Sequence, residues 1–286
     1  MEDKLRRRIE ERLGLEDASF VEVEDGWDSS VLEIDGEWIV RVPRREEVRD
    51  WIRREAALLP ELAPALPVTV PRFEAIEDTS RIFFVAYRKL GGDRIGSSPG
   101  TSLAAQLGNF LATLHTFPRE RAIRVGLVDV DAAGWLAQQV ELVDRCKDAV
   151  MPLLDEPDRR QALRIFDEFL SSWEGSLQTV LIHADLGPAH ILCRGASLCG
   201  VIDWSDARLG DPALDFAWLL HGTSEPFAAA LLEAYAARRP LNPSLRSRSL
   251  FYHRLGPWHE VLYGLEQDHP GLIASGLAGI QRRLPR

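Results

Sequence analysis

Between Thr179 and Ala217 the sequence runs T-V-L-I-H-A-D-L-G-P-A-H-I-L-C-R-G-A-S-L-C-G-V-I-D-W-S-D-A-R-L-G-D-P-A-L-D-F-A, dense in carboxylates and imidazoles at short spacings. The apolar run Val180-Leu181-Ile182 predicts a buried strand that delivers His183 and Asp185 to a Gly187-Pro188 loop, which His190 closes. Ile191 to Cys193 and Leu198 to Ile202 predict two short strands turned at Gly195-Ala196-Ser197, the second ending on Asp203. Asp203 follows Asp185 by 18 positions, a span that one loop and one hairpin can close. Asp185, His190 and Asp203 are therefore expected to converge. Such a group suits phosphoryl transfer, which asks a protein for positioning and charge neutralisation. One carboxylate accepts the proton of an attacking hydroxyl; the other, with a neighbouring ligand, holds Mg²⁺ against the phosphates. Together with His183 the same residues also read as a mixed nitrogen and oxygen ligand set for a hydrolytic metal centre.

These groups need a frame, and the rest of the chain supplies one. Leu5, Ile9 and Leu13 recur at four-residue spacing and predict a helix over residues 3–13. Strands are predicted at 20–23, 30–34 and 37–42, with Asp35-Gly36 as a tight hairpin signal between the last two. Gly26-Trp27-Asp28-Ser29-Ser30 lies between the first two; it reads either as an ordinary turn or as a phosphate-facing loop of backbone N–H groups. A helix over 47–59 places Val48, Ile52 and Leu59 on one face. Strands at 72–76 and 82–87 follow a Pro-rich stretch, and Arg88-Lys89-Leu90-Gly91-Gly92 then breaks the pattern as a hinge. Beyond it, Leu103, Leu107, Phe110, Leu111 and Leu114 form a helical stripe that ends at His115, read as a packing residue. Two amphipathic helices are expected over 130–176, interrupted near Met151-Pro152 and Glu156-Pro157. Asp211-Pro212 reads as a helix opening, with Asp215 a turn inside it. A helix starting at Gly256-Pro257 would put His259, Tyr263 and Glu266 on a wetter face beside an apolar one, able to line a substrate cleft or simply to pack. The expectation is an α+β chain of two lobes, a small β-rich one over 1–88 and a mainly helical one over 89–286.

Bulk properties narrow the partners. A net charge of −10 over 286 residues argues against nucleic acid, whose backbone demands clustered positive charge. It accommodates a cationic small substrate and also serves solubility. Cys146, Cys193 and Cys199 lack C-x-x-C spacing and read as reduced, buried thiols of a cytoplasmic protein. No apolar run reaches membrane-spanning length, and the charged start Met1-Glu2-Asp3-Lys4 has no signal-peptide core, so no membrane partner is expected.

The stretch 181–216 resembles the catalytic and metal loops of the aminoglycoside and macrolide phosphotransferase family, which shares the protein-kinase-like fold. That family shows His-x-Asp, then a metal-loop residue, then an apolar strand ending in Ile-Asp-Trp or Ile-Asp-Phe, and Gly210-Asp211-Pro212-x-x-Asp215 also matches. His190 stands where most members carry Asn, as it does in the macrolide branch. The resemblance implies Asp185 as catalytic base, His190 and Asp203 as ligands of Mg²⁺ or Mn²⁺, and His183 and Asp215 as supports of the loop. It implies that Arg41 contacts the nucleotide phosphates with Glu55 as its helical partner, and that Ser29 and Ser30 lie over the nucleotide. The activity implied is O-phosphotransfer from ATP or GTP to a small antibiotic. A metabolite kinase and a nucleotide-binding pseudokinase of the same fold stay open beside it.

Overall fold

The computed structural model describes residues 3–23, 27–173 and 177–285. Helix α1 (Asp3–Leu13) is followed by strands β1 (Phe20–Val23), β2 (Ser29–Ile34) and β3 (Trp38–Pro43). Asp35 and Gly36, at φ 52° and 71°, make the tight turn between β2 and β3 that their identities favour. Helix α2 (Glu46–Leu62) leads to β4 (Phe73–Asp78) and β5 (Phe83–Arg88), and the five strands form one antiparallel sheet in the order β1-β2-β3-β5-β4. Alternation along the strands sorts side chains between two covers. Leu32, Ile34, Trp38, Val40, Phe84 and Ala86 pack against Ile9 of α1, whereas Phe83 and Val85 pack against Val48 and Ile52 of α2. Covered on both faces, Phe83 to Tyr87 is buried throughout. On β3 the residue after Val40 is Arg41, so Arg41 faces α2.

The remainder is mainly helical. Strand β6 (Asp93–Arg94) is followed by helices α3 (Thr101–Leu114), α4 (Arg119–Arg124), α5 (Ala132–Arg145) and α6 (Glu156–Ser171). A π-turn at 146–150 and a 3-10 turn at 151–153 separate α5 from α6, whose first turn holds Pro157. Strand β7 (Val180–Ile182) pairs with β10 (Arg208–Gly210), while β8 (Ile191–Arg194) and β9 (Ser197–Val201) form a hairpin whose outer neighbour is β6. Helices α7 (Ala217–His221), α8 (Glu225–Ala236), α9 (Leu245–Glu266) and α10 (Pro270–Arg283) complete the chain. Asp211-Pro212 opens a 3-10 turn rather than an α-helix, with the Asp211 carboxylate accepting from the Ala213 N–H at 2.9 Å. The three cysteines are free thiols, but Cys199 is only half-buried, and its single S–H lies between two acceptors, the Gly91 and Leu192 carbonyls at 3.2 and 3.3 Å. Among the described residues no helix is long and apolar enough to cross a membrane.

Helix α9 corrects the sequence expectation. It begins at Leu245 and runs straight through Gly256-Pro257. Proline at 257 cannot donate to the carbonyl four residues back, that of His253. The guanidinium of Arg283 donates to that carbonyl instead. Helix α10 reaches this spot because Gly276 faces it: a Cβ there would lie 2.9 Å from the Pro257 carbonyl oxygen and 3.0 Å from the Val261 nitrogen. Gly→Ala in a helix normally stabilises by about 1 kcal/mol. Here Gly276→Ala is expected to destabilise by roughly 1–3 kcal/mol through overpacking. A urea melt showing a gain in stability would contradict this account of the α9–α10 contact.

Candidate active site

The β3–α2 pairing explains the first half of the site. Val48, Ile52, Glu55 and Leu59 lie along one face of α2, which turns Glu55 toward the sheet. Arg41 Nη1 donates to both Glu55 carboxylate oxygens, at 3.1 and 2.8 Å. Both residues are buried, Arg41 at 6% exposure and Glu55 at 1%. The Trp204 N–H donates to Glu55 Oε1 at 3.2 Å, so the hairpin β8–β9 is drawn against α2. Burial pushes the Glu55 carboxyl up to about 7, against the opposing pull of Arg41.

The second nitrogen of the Arg41 fork reaches further. Arg41 Nη2 lies 3.1 Å from Asp203 Oδ1, an ion pair between residues that no sequence spacing links. Ser205 Oγ donates to the same oxygen at 3.0 Å. Burial acts to raise the Asp203 carboxyl, but Arg41 and then His190 outweigh it and hold it down at about 2. Asp203 has φ 63°, in the left-handed region that Asp tolerates better than most residues. Its side chain is 40% exposed, so the group is charged yet reachable.

The loop after β7 brings the remaining residues. Asp215 is fully buried and accepts the His183 N–H at 2.9 Å and the Ala184 N–H at 2.8 Å. These two bonds hold Ala184 at φ 69° and swing the chain so that Asp185 emerges into the cleft with 58% of its side chain exposed. His183 Nε2 donates to the Ile202 carbonyl at 3.1 Å, and the Asp185 N–H donates to His183 Nδ1 at 3.3 Å. Burial lowers the His183 pKa, consistent with this neutral tautomer. His183 thereby ties the residue before Asp203 to the backbone of Asp185. Burial raises the Asp185 carboxyl, with His190 and His183 pulling the other way.

His190 faces both carboxylates. Its Nδ1 donates to the Asp185 carbonyl at 2.7 Å and lies 3.4 Å from Asp185 Oδ2. That bond fixes the proton on Nδ1 and leaves Nε2 directed at Asp203 Oδ2, 3.7 Å away. Asp203 and the free Nε2 form an open pair of donors, and among the described residues no cluster of three or more His, Cys, Asp or Glu side chains could hold a metal ion. An open pair fits Mg²⁺ or Mn²⁺, which use one or two protein ligands and complete the shell with phosphate and water. It does not fit a closed all-protein metal centre.

Other expected residues take more scattered places. Ser29 is 4% exposed, and its Oγ has no hydrogen-bond partner among the described residues. Ser30 sits half-buried beside it on β2. Gly26, the residue expected to begin a phosphate-facing loop, lies outside the described residues. On α9, His259 is exposed, Tyr263 is half-buried and Glu266 is held by Arg145 at 2.6 Å. The sequence reading missed Asp206, which lies close enough to Asp28 and Asp185 to raise both carboxyls, and which pairs with Arg208 at 2.8 Å. It also missed that His115 does more than pack. His115 Nε2 donates to Asp215 at 3.1 Å while Tyr235 lies 3.0 Å from Nδ1, so a buried relay from α8 backs the loop. The one local signal was a polar residue ending an otherwise apolar stripe.

A five-stranded lobe, a helical lobe and a carboxylate–imidazole cluster where they meet define a kinase-like phosphotransferase. The chain belongs to the phosphotransferase enzyme family, whose sequence profile matches residues 19–248. Among solved structures, the GDP and kanamycin complex of APH(2")-IIIa superimposes with a TM-score of 0.88 at 25% identity, covering 99% of this chain and 98% of that one. Macrolide 2'-phosphotransferase MphH from Brachybacterium faecium gives a TM-score of 0.78 at 26% identity, with 98% of each chain covered. In sequence, the uncharacterized protein YcbJ of Bacillus subtilis (strain 168) is 26% identical over 214 residues, 69% of this chain and 67% of that protein. The homoserine kinase of Parvibaculum lavamentivorans is 32% identical over 152 residues, 49% of this chain and 44% of that kinase.

Removing one partner of a buried ion pair leaves an uncompensated charge, at a cost of about 3–5 kcal/mol. Arg41→Ala is expected to cost that much in the parent. It should cost clearly less in a Glu55→Gln background, where the fully buried carboxylate is gone and only the partly exposed Asp203 loses its partner. Equal losses in both backgrounds, read from denaturant melts, would refute the account of the pair.

Proposed function

We propose that this phosphotransferase moves the γ-phosphoryl group of ATP or GTP to a hydroxyl of a small acceptor of the aminoglycoside or macrolide kind. The observation that carries this reading is the convergence of Asp185, His190 and Asp203 beside Arg41, with Asp185 exposed to the cleft and paired with no Lys or Arg among the described residues. In this reading residues 1–88 form the nucleotide lobe and 89–286 the catalytic and acceptor lobe. Asp185 accepts the proton of the acceptor hydroxyl as its oxygen bonds to the γ-phosphorus, and the bond to the β-phosphate oxygen breaks to release the nucleoside diphosphate. Arg41, held by Glu55 through Nη1, would meet a phosphate oxygen with the Nη2 that it directs at Asp203, and the orphan hydroxyl of Ser29 is available to another. His190 and Asp203 would hold Mg²⁺ or Mn²⁺, whose charge offsets that of the β- and γ-phosphates. His183 and Asp215 keep Asp185 and Asp203 in register.

Asp185 on the cleft side has a second carboxylate, Asp206, close enough to act on it, which favours an acceptor carrying amino groups. His259, Tyr263 and Glu266 on α9 form the wall of the acceptor side. The partial match to homoserine kinase supports a second reading, in which the acceptor is the hydroxyl of an amino acid. A kinase assay over aminoglycosides, macrolides and homoserine, each with ATP and with GTP, separates the two. Turnover of homoserine alone would overturn the antibiotic reading.

Two mutational outcomes test the roles. Asp185→Ala is expected to cut turnover by ~10²–10⁴ with nucleotide affinity little changed, as for loss of a positioned base. Near-parental turnover would remove Asp185 from the mechanism. At the metal pair, Asp203→Ala is expected to lose more activity than His190→Ala, because the carboxylate carries the charge. His190→Asn should retain substantial Mg²⁺-dependent activity, and Mn²⁺ should support the parent at least as well as Mg²⁺, since it accepts imidazole more readily. Nucleotide titrations with and without the metal give a readout independent of turnover: Asp203→Ala should abolish the metal-dependent gain in affinity. An inactive His190→Asn beside an active Asp203→Ala would reverse the assignment.

A further inference from the structure

Trp27 precedes β2, and Tyr263 lies on α9, 236 residues further along the chain. Their rings stack face to face, with centroids 4.8 Å apart and planes within 6°. Tyr263 Oη donates to the Trp27 carbonyl at 2.7 Å. Arg45 reinforces the contact from the small lobe. Its guanidinium pairs with Asp28 at 2.5 Å and sits over the Tyr263 ring at 5.5 Å. The Arg44 N–H donates to the Asp28 carbonyl at 2.9 Å, which fixes Trp27 and Asp28 to the end of β3.

This junction is aromatic, whereas the lobes are elsewhere joined by polar contacts, among them the Arg41–Asp203 and Glu61–Arg121 ion pairs. Backbone joins them too, as where the Thr69 N–H donates to the Cys199 carbonyl at 3.1 Å and the Val201 N–H to the Thr69 carbonyl at 3.0 Å. They are also joined by the fully buried Glu55–Trp204 bond. At Trp27 the joint is an aromatic pair, one hydrogen bond and the Arg45 guanidinium over the Tyr263 ring, with Trp27 43% exposed. Contacts with exposed partners open first when a structure fluctuates. The pair also links two functions. Trp27 and Asp28 lead directly into Ser29 and Ser30 on the nucleotide side, and Tyr263 lies between His259 and Glu266 on the acceptor side.

We propose that Trp27 and Tyr263 are positioning residues that clasp strand β2 to helix α9, so that the nucleotide and acceptor halves of the cleft open and close as one. The assignment of the two halves rests on the function proposed above; the clasp itself does not. Its consequence is that nucleotide leaves only after the stack has parted, so release is slowed by a contact with a residue of the acceptor helix.

The test compares the parent with Tyr263→Phe, which keeps the stack and removes the hydroxyl, and with Tyr263→Ala, Trp27→Ala and the double alanine variant. Hydrogen exchange of residues 29–34 is measured first in the nucleotide-free protein, then release of N-methylanthraniloyl-labelled ADP and GDP by stopped flow. Exchange in β2 should rise in Tyr263→Ala although the substitution lies on α9. Release should be about three- to tenfold faster in either alanine variant, the scale of one aromatic pair, and less so in Tyr263→Phe. The double variant should be no faster than Tyr263→Ala, which alone removes the stack, the Oη bond and the Arg45 contact, whereas Trp27→Ala removes only the stack. Equal melting temperatures serve as the fold check. Unchanged exchange in β2, release within twofold of the parent, or additive effects in the double variant would each overturn the clasp. Raised exchange in a protein that binds neither labelled nucleotide would uphold the clasp and overturn the nucleotide reading instead.

Discussion

The structure depends on how one buried guanidinium is neutralised. Arg41 is nearly inaccessible in the core of the small lobe, where an unpaired charge would be intolerable. Glu55 answers it from α2, and Asp203 answers it from the end of β9. Three elements far apart in sequence must therefore meet at one point. The Trp204 N–H fastens the same junction by donating to Glu55. A single cation thus sets the distance between the sheet, the helix and the Asp203 carboxylate. It also keeps Asp203 in its ionised form.

A second constraint acts on the backbone. Ala184 and Asp203 both have positive φ, which costs free energy in residues other than glycine. Ala184 is held there by Asp215, which is fixed in turn by His115 and through it by Tyr235. The Ile202 carbonyl, just ahead of Asp203, is held by His183. One strained position immediately precedes Asp185 and the other is Asp203 itself. Rigidity here originates in buried side chains at the end of α3 and on α8, well behind the two carboxylates.

Much of this was legible in the sequence because it is local or periodic. Alternation gave the strands, including the continuous apolar run of β5, and four-residue spacing gave α1, α2 and α3. The loop and hairpin that bring Asp185, His190 and Asp203 together could be laid out from strand lengths and turn residues alone. The start of α9 could not. A proline is a sound break signal only while the carbonyl behind it has no other donor, and Arg283 supplies one from a helix that follows. The Arg41–Asp203 and Trp27–Tyr263 contacts were equally hidden, since neither carries a local signature. His115 was read as packing because its partners, Asp215 and Tyr235, lie 100 and 120 residues away.

Helix α2 belongs to both hydrophobic cores. Its first turns, through Val48 and Ile52, cover the sheet, while Leu58, Leu59 and Leu62 are sealed into the large helical core together with Leu66 and Val70. The boundary in the chain near residue 88 is therefore not a boundary in the packing. A fragment ending there would carry three uncovered leucines from this helix alone, and the partner fragment would keep the matching hollow. Chimeras that exchange nucleotide-binding halves between relatives at that hinge would inherit mismatched cores. A crossover that respects the molecule has to move the end of α2 with its large-lobe neighbours, because the lobes share this helix in their packing.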